Sequence, residues 1–112
     1  MMYYTLTVKD NDYKLRLSAK ACVDLEKKLG RNPVAVIADM ATSQTIPGLD
    51  VILTIVQGSM SQFNHGIDMN KMYEIYDDYV DEGHTMFDLI AVIGEVFKVS
   101  GLLPDEAEPE KN

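Results

Sequence analysis

The sequence predicts a mainly helical α+β fold: an N-terminal β-hairpin packed on a bundle of about five helices. Two observations carry this reading. Apolar residues alternate with period two over the first 17 positions, and from Ser18 onward they recur at helical spacing. The helical stretches are also punctuated by cap and stop residues: Ser18, Gly30, Asn32, Pro33, Asp68, Gly83, Thr85 and Gly101.

In "YYTLTVKDNDYKLRL", Tyr4, Leu6 and Val8 share one strand face, and Tyr3, Thr5 and Thr7 the other. The polar "KDND" supplies a turn, after which Tyr13, Leu15 and Leu17 resume the alternation. A lone hairpin is barely stable in water, so its apolar face must lie on helices. Ser18 then suits an N-cap, because its hydroxyl can accept from a free amide of the first turn. Cys22, Leu25 and Leu29 form the apolar stripe of helix one, Lys27 and Lys28 complement its dipole, and Gly30 fits the left-handed stop. Asn32 and Pro33 start a short second helix, "PVAVIADMA".

A third helix lies within "IPGLDVILTIVQGSMSQF", with Pro47 at its start and Ile52, Ile55, Val56, Ser59 and Phe63 on one side. Gly58 weakens it by about 1 kcal/mol relative to Ala unless another backbone packs close. After the break at "NHG", Asp68 caps a fourth helix with the stripe Met69, Met72, Tyr73, Tyr76, Tyr79 and Val80. Its opposite face is acidic: Glu74, Asp77, Asp78 and Asp81. Gly83 ends it. Thr85 and Asp88 then form a possible capping box for a fifth helix. That helix carries Met86, Phe87, Leu89, Ile90, Val92, Ile93, Val96 and Phe97, which leave little polar face. A helix so apolar is either central or partly covered by another chain. Residues 1–103 read as one domain, and 104–112 as an acidic, Pro-containing tail that should be mobile.

With 46% hydrophobic residues, the 112-residue chain is rich enough to bury one core. Its net charge of −8 argues against nucleic acid, which needs a basic face, and against an anionic membrane surface. The charge is split: residues 1–60 carry +1 and residues 61–112 carry −9. An acidic face of this kind either is simply solvated or selects a basic or mixed-charge partner. With Cys22 as its one cysteine, the chain can form no intrachain disulfide. "MMYYTLTVKD" has no signal-peptide pattern, and no apolar run approaches the roughly 20 residues of a membrane span. A soluble protein of a reducing cytosol is expected.

Chemistry-bearing patterns are weak. His65 and His84 each sit beside a glycine at a helix break, without a second His or a Cys at ligand spacing. Cys22 is expected on the inner face of helix one, with no base in view. Asp77, Asp78 and Asp81 are spaced like an aspartate-rich magnesium motif, but the chain lacks the second motif and the large cavity of that chemistry. A solvated face is the plainer reading. There is no phosphate-binding glycine loop and no serine elbow. No enzyme, cofactor, metal or small-molecule substrate is expected. Seven Met and six Tyr suggest either core packing or an adaptable binding surface.

The succession "Y.LTV.D..YKLRLS", "A..DLEKKLGRNP" and "LDVILTIVQGSM…FNHGI…..YEIYDDYVDEG….DLI.VI.EVFKVSGLL" resembles the tail assembly chaperones of long-tailed phages and prophages of Gram-positive bacteria. It covers roughly residues 3–103, and "DLEKKLG.NP" and "Y..YDDYVDEG" are its most specific parts. The resemblance implies a non-enzymatic protein of the host cytoplasm, absent from the mature virion. Such a protein binds the tape measure protein, keeps it soluble during tail assembly, and self-associates. It also implies a longer form made by frameshifting near the end. Glu110, Lys111 and Asn112 can be encoded with a slippery A AAA AAC, which AAG for Lys111 would remove. The expected partner-binding residues are Met72, Tyr73, Tyr76 and Tyr79, with Ile90, Ile93 and Phe97 as a second surface. The alternatives are a structural tail or head–tail connector component, a small metal-dependent enzyme using Asp77, Asp78 and Asp81, and a regulatory partner of a basic protein.

Overall fold

Alternating apolar residues form the predicted hairpin. Strand β1 (Tyr4–Val8) pairs antiparallel with β2 (Asn11–Leu15), and Val8 lies opposite Asn11. The structure is a computed structural model describing residues 2–104. The tail expected over 104–112, Pro104 excepted, and the Glu110–Asn112 ending lie outside the described residues. Lys9 and Asp10 make the whole turn, with φ of 51° and 66°, the backbone of a type I′ loop. "KDND" is therefore not all turn. Asn11 and Asp12 belong to β2, where Asp12 Oδ1 accepts a hydrogen bond from Thr7 Oγ1 across the ladder (2.6 Å).

Five helices follow: α1 (Ala19–Leu29), α2 (Pro33–Ser43), α3 (Leu49–Met60), α4 (Met69–Asp81) and α5 (Met86–Val99). Their starts follow the cap residues. Ser18 Oγ accepts from Ala21 N (3.1 Å), Asn32 Oδ1 from Val34 N (2.8 Å) and Asp68 Oδ1 from Lys71 N (2.8 Å). Thr85 and Asp88 close both halves of the capping box. Gly30 ends α1 at φ 74°. Helix α2 runs two residues past "PVAVIADMA", because Ser43 Oγ donates back to Asp39 O (2.8 Å) before Gln44 turns left-handed. Helix α3 is shorter than its predicted stretch. Gly48 is its N-cap, so Pro47 precedes it, and Phe63 lies beyond its end, its ring 5.7 Å from that of Tyr3.

The centre of the molecule is α3. Helices α1, α4 and α5 and strand β2 all pack on it, and its Ile52, Ile55, Val56 and Met60 are wholly shielded. Helix α5 takes a flank instead, burying Leu89, Val92, Ile93, Val96 and Phe97 against α3 and β1. Gly58 on α3 meets a side chain, not the anticipated backbone. A Cβ there would stand 3.2 Å from Leu25 Cγ and Cδ2. The buried Ser59 hydroxyl is satisfied within its own helix by Ile55 O (2.8 Å). One brace was not legible in the periodicities: Arg16 Nη1 donates to both Met2 O and Val99 O, each at 2.9 Å. Beside it, Leu17 N donates to Ser100 Oγ (2.9 Å).

Candidate protein-interaction face

Helix α4 packs on α3 and β1 through Met72, Ile75 and Tyr79, with Met69 and Tyr76 half-buried beside them. The predicted stripe is thus rotated. Successive residues turn about 100° around a helix, which puts Ile75 beyond Tyr79 on one edge of the six expected positions and Tyr73 and Val80 on the opposite edge. Ile75 completes the inward face, and Tyr73 and Val80 are turned out, 48% and 42% exposed.

The seven expected partner-binding residues therefore divide. Met72, Tyr79, Ile93 and Phe97 are core, each no more than 4% exposed, because they fill the space against α3 and the hairpin. They offer no surface. Tyr73 is exposed, and Tyr76 and Ile90 are half-buried. The structure adds two residues to the outer surface: Val80 and, at the start of α5, Phe87 (55% exposed). The signal for Val80 is its i,i+7 spacing from Tyr73. Phe87 falls outside the Leu89–Val92–Ile93–Val96–Phe97 stripe.

Tyr73, Asp77 and Val80 follow one line along α4 at i, i+4 and i+7. Glu74, Asp78 and Asp81 follow the next line, on the side away from the core. Glu74, Asp77 and Asp81 are exposed and Asp78 is half-buried. Of these four acids only Glu74 has a cation in ion-pair range among the described residues, Lys71 at 3.6 Å. The turn after α4 is fixed by Glu82, whose Oε2 accepts from Lys9 N (3.0 Å), and by His84, stacked on the Tyr79 ring at 4.3 Å. His84 thus serves the helix break, with Nδ1 3.6 Å from Asp88.

The titrating groups add two directions. Burial pushes the Tyr79 hydroxyl up to about 12, with the negative charge of Asp88 and the nearby Tyr4 and Tyr76 adding to it. Burial, and then Glu26, push the half-buried Cys22 thiol above its usual value, the opposite of an activated nucleophile. Among the described residues, no three His, Cys, Asp or Glu side chains are placed to hold a metal ion, Asp77, Asp78 and Asp81 included. No helix among them is long and apolar enough to cross a membrane.

A large aromatic and a branched apolar side chain beside a row of carboxylates, of which only Glu74 has a cation in ion-pair range among the described residues, make a face suited to another protein. Tyr supplies rigid apolar area with a polar tip, and the carboxylates set the sign of the surface that can approach. No curated protein and no solved structure matches the chain. Residues 2–109 match a family of unknown function, DUF6096, and the chain belongs to that family.

Proposed function

We propose that the protein is a non-enzymatic phage tail assembly chaperone. It binds the tape measure protein in the host cytoplasm, keeps it soluble while the tail is built, and is left out of the finished particle. The observation that carries the reading is the outer face of α4, where Tyr73 and Val80 stand exposed beside Glu74, Asp77 and Asp81. The resemblance of residues 3–103 to such chaperones supports it. In this reading the apolar line covers apolar stretches of a long helical partner, and the acidic line favours helices with cations along their flanks.

The test is co-expression with the tape measure protein of the same phage or prophage. The wild-type chain is expected to keep that protein in the soluble fraction and to co-purify with it. Tyr73→Ala combined with Val80→Ala is expected to lose both effects while retaining the wild-type circular dichroism. Equal solubility of the tape measure protein with and without the chain overturns the proposal. Recovery of the chain in finished virions would make it a structural tail component instead.

A further inference from the structure

We propose that the free edge of β1 takes up an extended, basic-ended segment of another protein as a third strand of the sheet. The inference stands on the hairpin and needs nothing from the outer face of α4. The two-residue turn makes Val8 and Asn11 a hydrogen-bonded pair, and backbone groups alternate from there. Tyr4, Leu6 and Val8 direct theirs at β2, whereas Thr5 and Thr7 direct theirs away from it. The same alternation turns Lys14 and, just past the end of β2, Arg16 outward on the other side. That second edge is closed: Lys14 O accepts from Asn64 Nδ2 and Arg16 N donates to Ser59 O, each at 2.9 Å. On β1, Lys9 N donates to Glu82 Oε2 at 3.0 Å. The amides and carbonyls of Thr5 and Thr7 have no hydrogen-bond partner among the described residues.

Backbone chemistry identifies the kind of occupant. Unpaired amides and carbonyls persist where water reaches them, and Thr5 and Thr7 are exposed. Two donors and two acceptors, set two residues apart along a strand, match an extended chain; a helix has already used its own. Proteins commonly guard such an edge with Lys, Pro or a bulge, and Tyr4–Val8 has none of these. Antiparallel addition is the more stable pairing, so the incoming strand starts at the turn end of β1. Its residue opposite Leu6 faces the side where α4 and α5 pack on β1, which suits an apolar side chain. Its residues opposite Thr5 and Thr7 face solvent.

Charge sets how that strand begins. Around the turn stand Asp10, Asp12 and Glu82 against the one cation of Lys9, all exposed and none ion-paired among the described residues. Glu82 lies on the open side of β1, because its carboxylate meets the outward amide of Lys9. A Lys or Arg at the start of the incoming segment complements these acids. A second copy of β1 laid the same way would bring Met2 and Tyr3 there, whose side chains are uncharged.

Amide chemical shifts of the isotope-labelled protein, followed while a blocked peptide Lys-Lys-Thr-Val-Thr-Val-Thr is added, test this. The probe is synthetic, so the result does not depend on the tape measure protein. The largest changes are expected at Thr5 and Thr7, with a Kd on the order of 1 mM or tighter. Methylating the two peptide amides that face Thr5 and Thr7 is expected to weaken binding about tenfold or more, through the hydrogen bonds it removes. Glu-Glu in place of Lys-Lys is expected to weaken it several-fold, and Glu82→Gln to narrow that difference. Thr5→Pro deletes one outward amide at an edge position where Pro is tolerated, and is expected to lose the peptide while keeping the wild-type circular dichroism. Should that variant fail to fold, the methylated peptide reads the same bonds in the wild type. Absence of shifts at Thr5 and Thr7 up to about 5 mM peptide overturns the proposal, as does equal binding of the methylated or the Glu peptide. Shifts of the same amides on concentrating the protein alone would assign the edge to a second copy and overturn it too.

Discussion

Single side chains here settle questions that composition leaves open. Tyr79 is both a wall of the core and an ionisable group. Its folded pKa, about 12, lies above the ordinary 10, so the folded state favours the neutral phenol. Its contribution to stability is therefore complete below pH 10 and is lost as pH rises toward about 12. Urea midpoints measured across that window are expected to fall for the wild type and to fall less for Tyr79→Phe. Arg16 acts differently. Its guanidinium holds two backbone carbonyls from opposite ends of the described chain, one of them in a partly buried contact. Arg16→Ala is expected to cost about 1–3 kcal/mol, because hydrogen bonds from a charged donor are the stronger kind. Equilibrium denaturation would measure it, with the loss smaller in Arg16→Lys.

At the scale of elements, two glycines in helices make a matched pair. A Cβ at Gly94 on α5 meets nothing within 4 Å, whereas one at Gly58 on α3 meets Leu25 at 3.2 Å. Gly94→Ala is expected to stabilise by about 0.5–1 kcal/mol through helix propensity alone. Gly58→Val is expected to destabilise by about 1–3 kcal/mol, because α1 must shift to admit it. Thermal melts of the two variants check both signs. The sequence showed where four of the five helices begin, since a cap is a local interaction between a side chain and an amide a few residues on, whereas α3 starts at Gly48, which makes no side-chain cap bond. It did not show which helix is central. Helices α3 and α5 are both apolar, and only tertiary packing chooses between them. The same limit governs the candidate face: Tyr73 and Tyr79 are alike in sequence, and a rotation of α4 toward Ile75 sends one out and the other in. The two-residue turn was hidden because Lys9-Asp10 is not one of the usual glycine-bearing pairs, although Asp tolerates positive φ.

Across the whole molecule, residues 61–112 carry −9 in sequence, and α4 shows part of that charge to solvent through Glu74, Asp77 and Asp81. Replacing Asp77, Asp78 and Asp81 by Asn is expected to leave the fold intact, since none of the three is ion-paired among the described residues. Partner binding should weaken several-fold at low ionic strength and lose much of its salt dependence, because exposed charges act over a Debye length of about 10 Å at 0.1 M. Titration calorimetry at two salt concentrations would show it. An unchanged affinity would mean that the acids are only a solvated surface.

The brace at Arg16 also bears on how the chain can be re-cut. Met2 O and Val99 O accept from one nitrogen at 2.9 Å each, so Met2 and the end of α5 lie within about twice that distance. In space the backbone is nearly a closed ring. A circular permutant with the ends joined by a short glycine-rich linker, and with new termini opened between the exposed Thr45 and Ile46, would keep the hairpin, all five helices and the α4 face. The order in which these elements are synthesised is then a matter of history, and the architecture belongs to the ring.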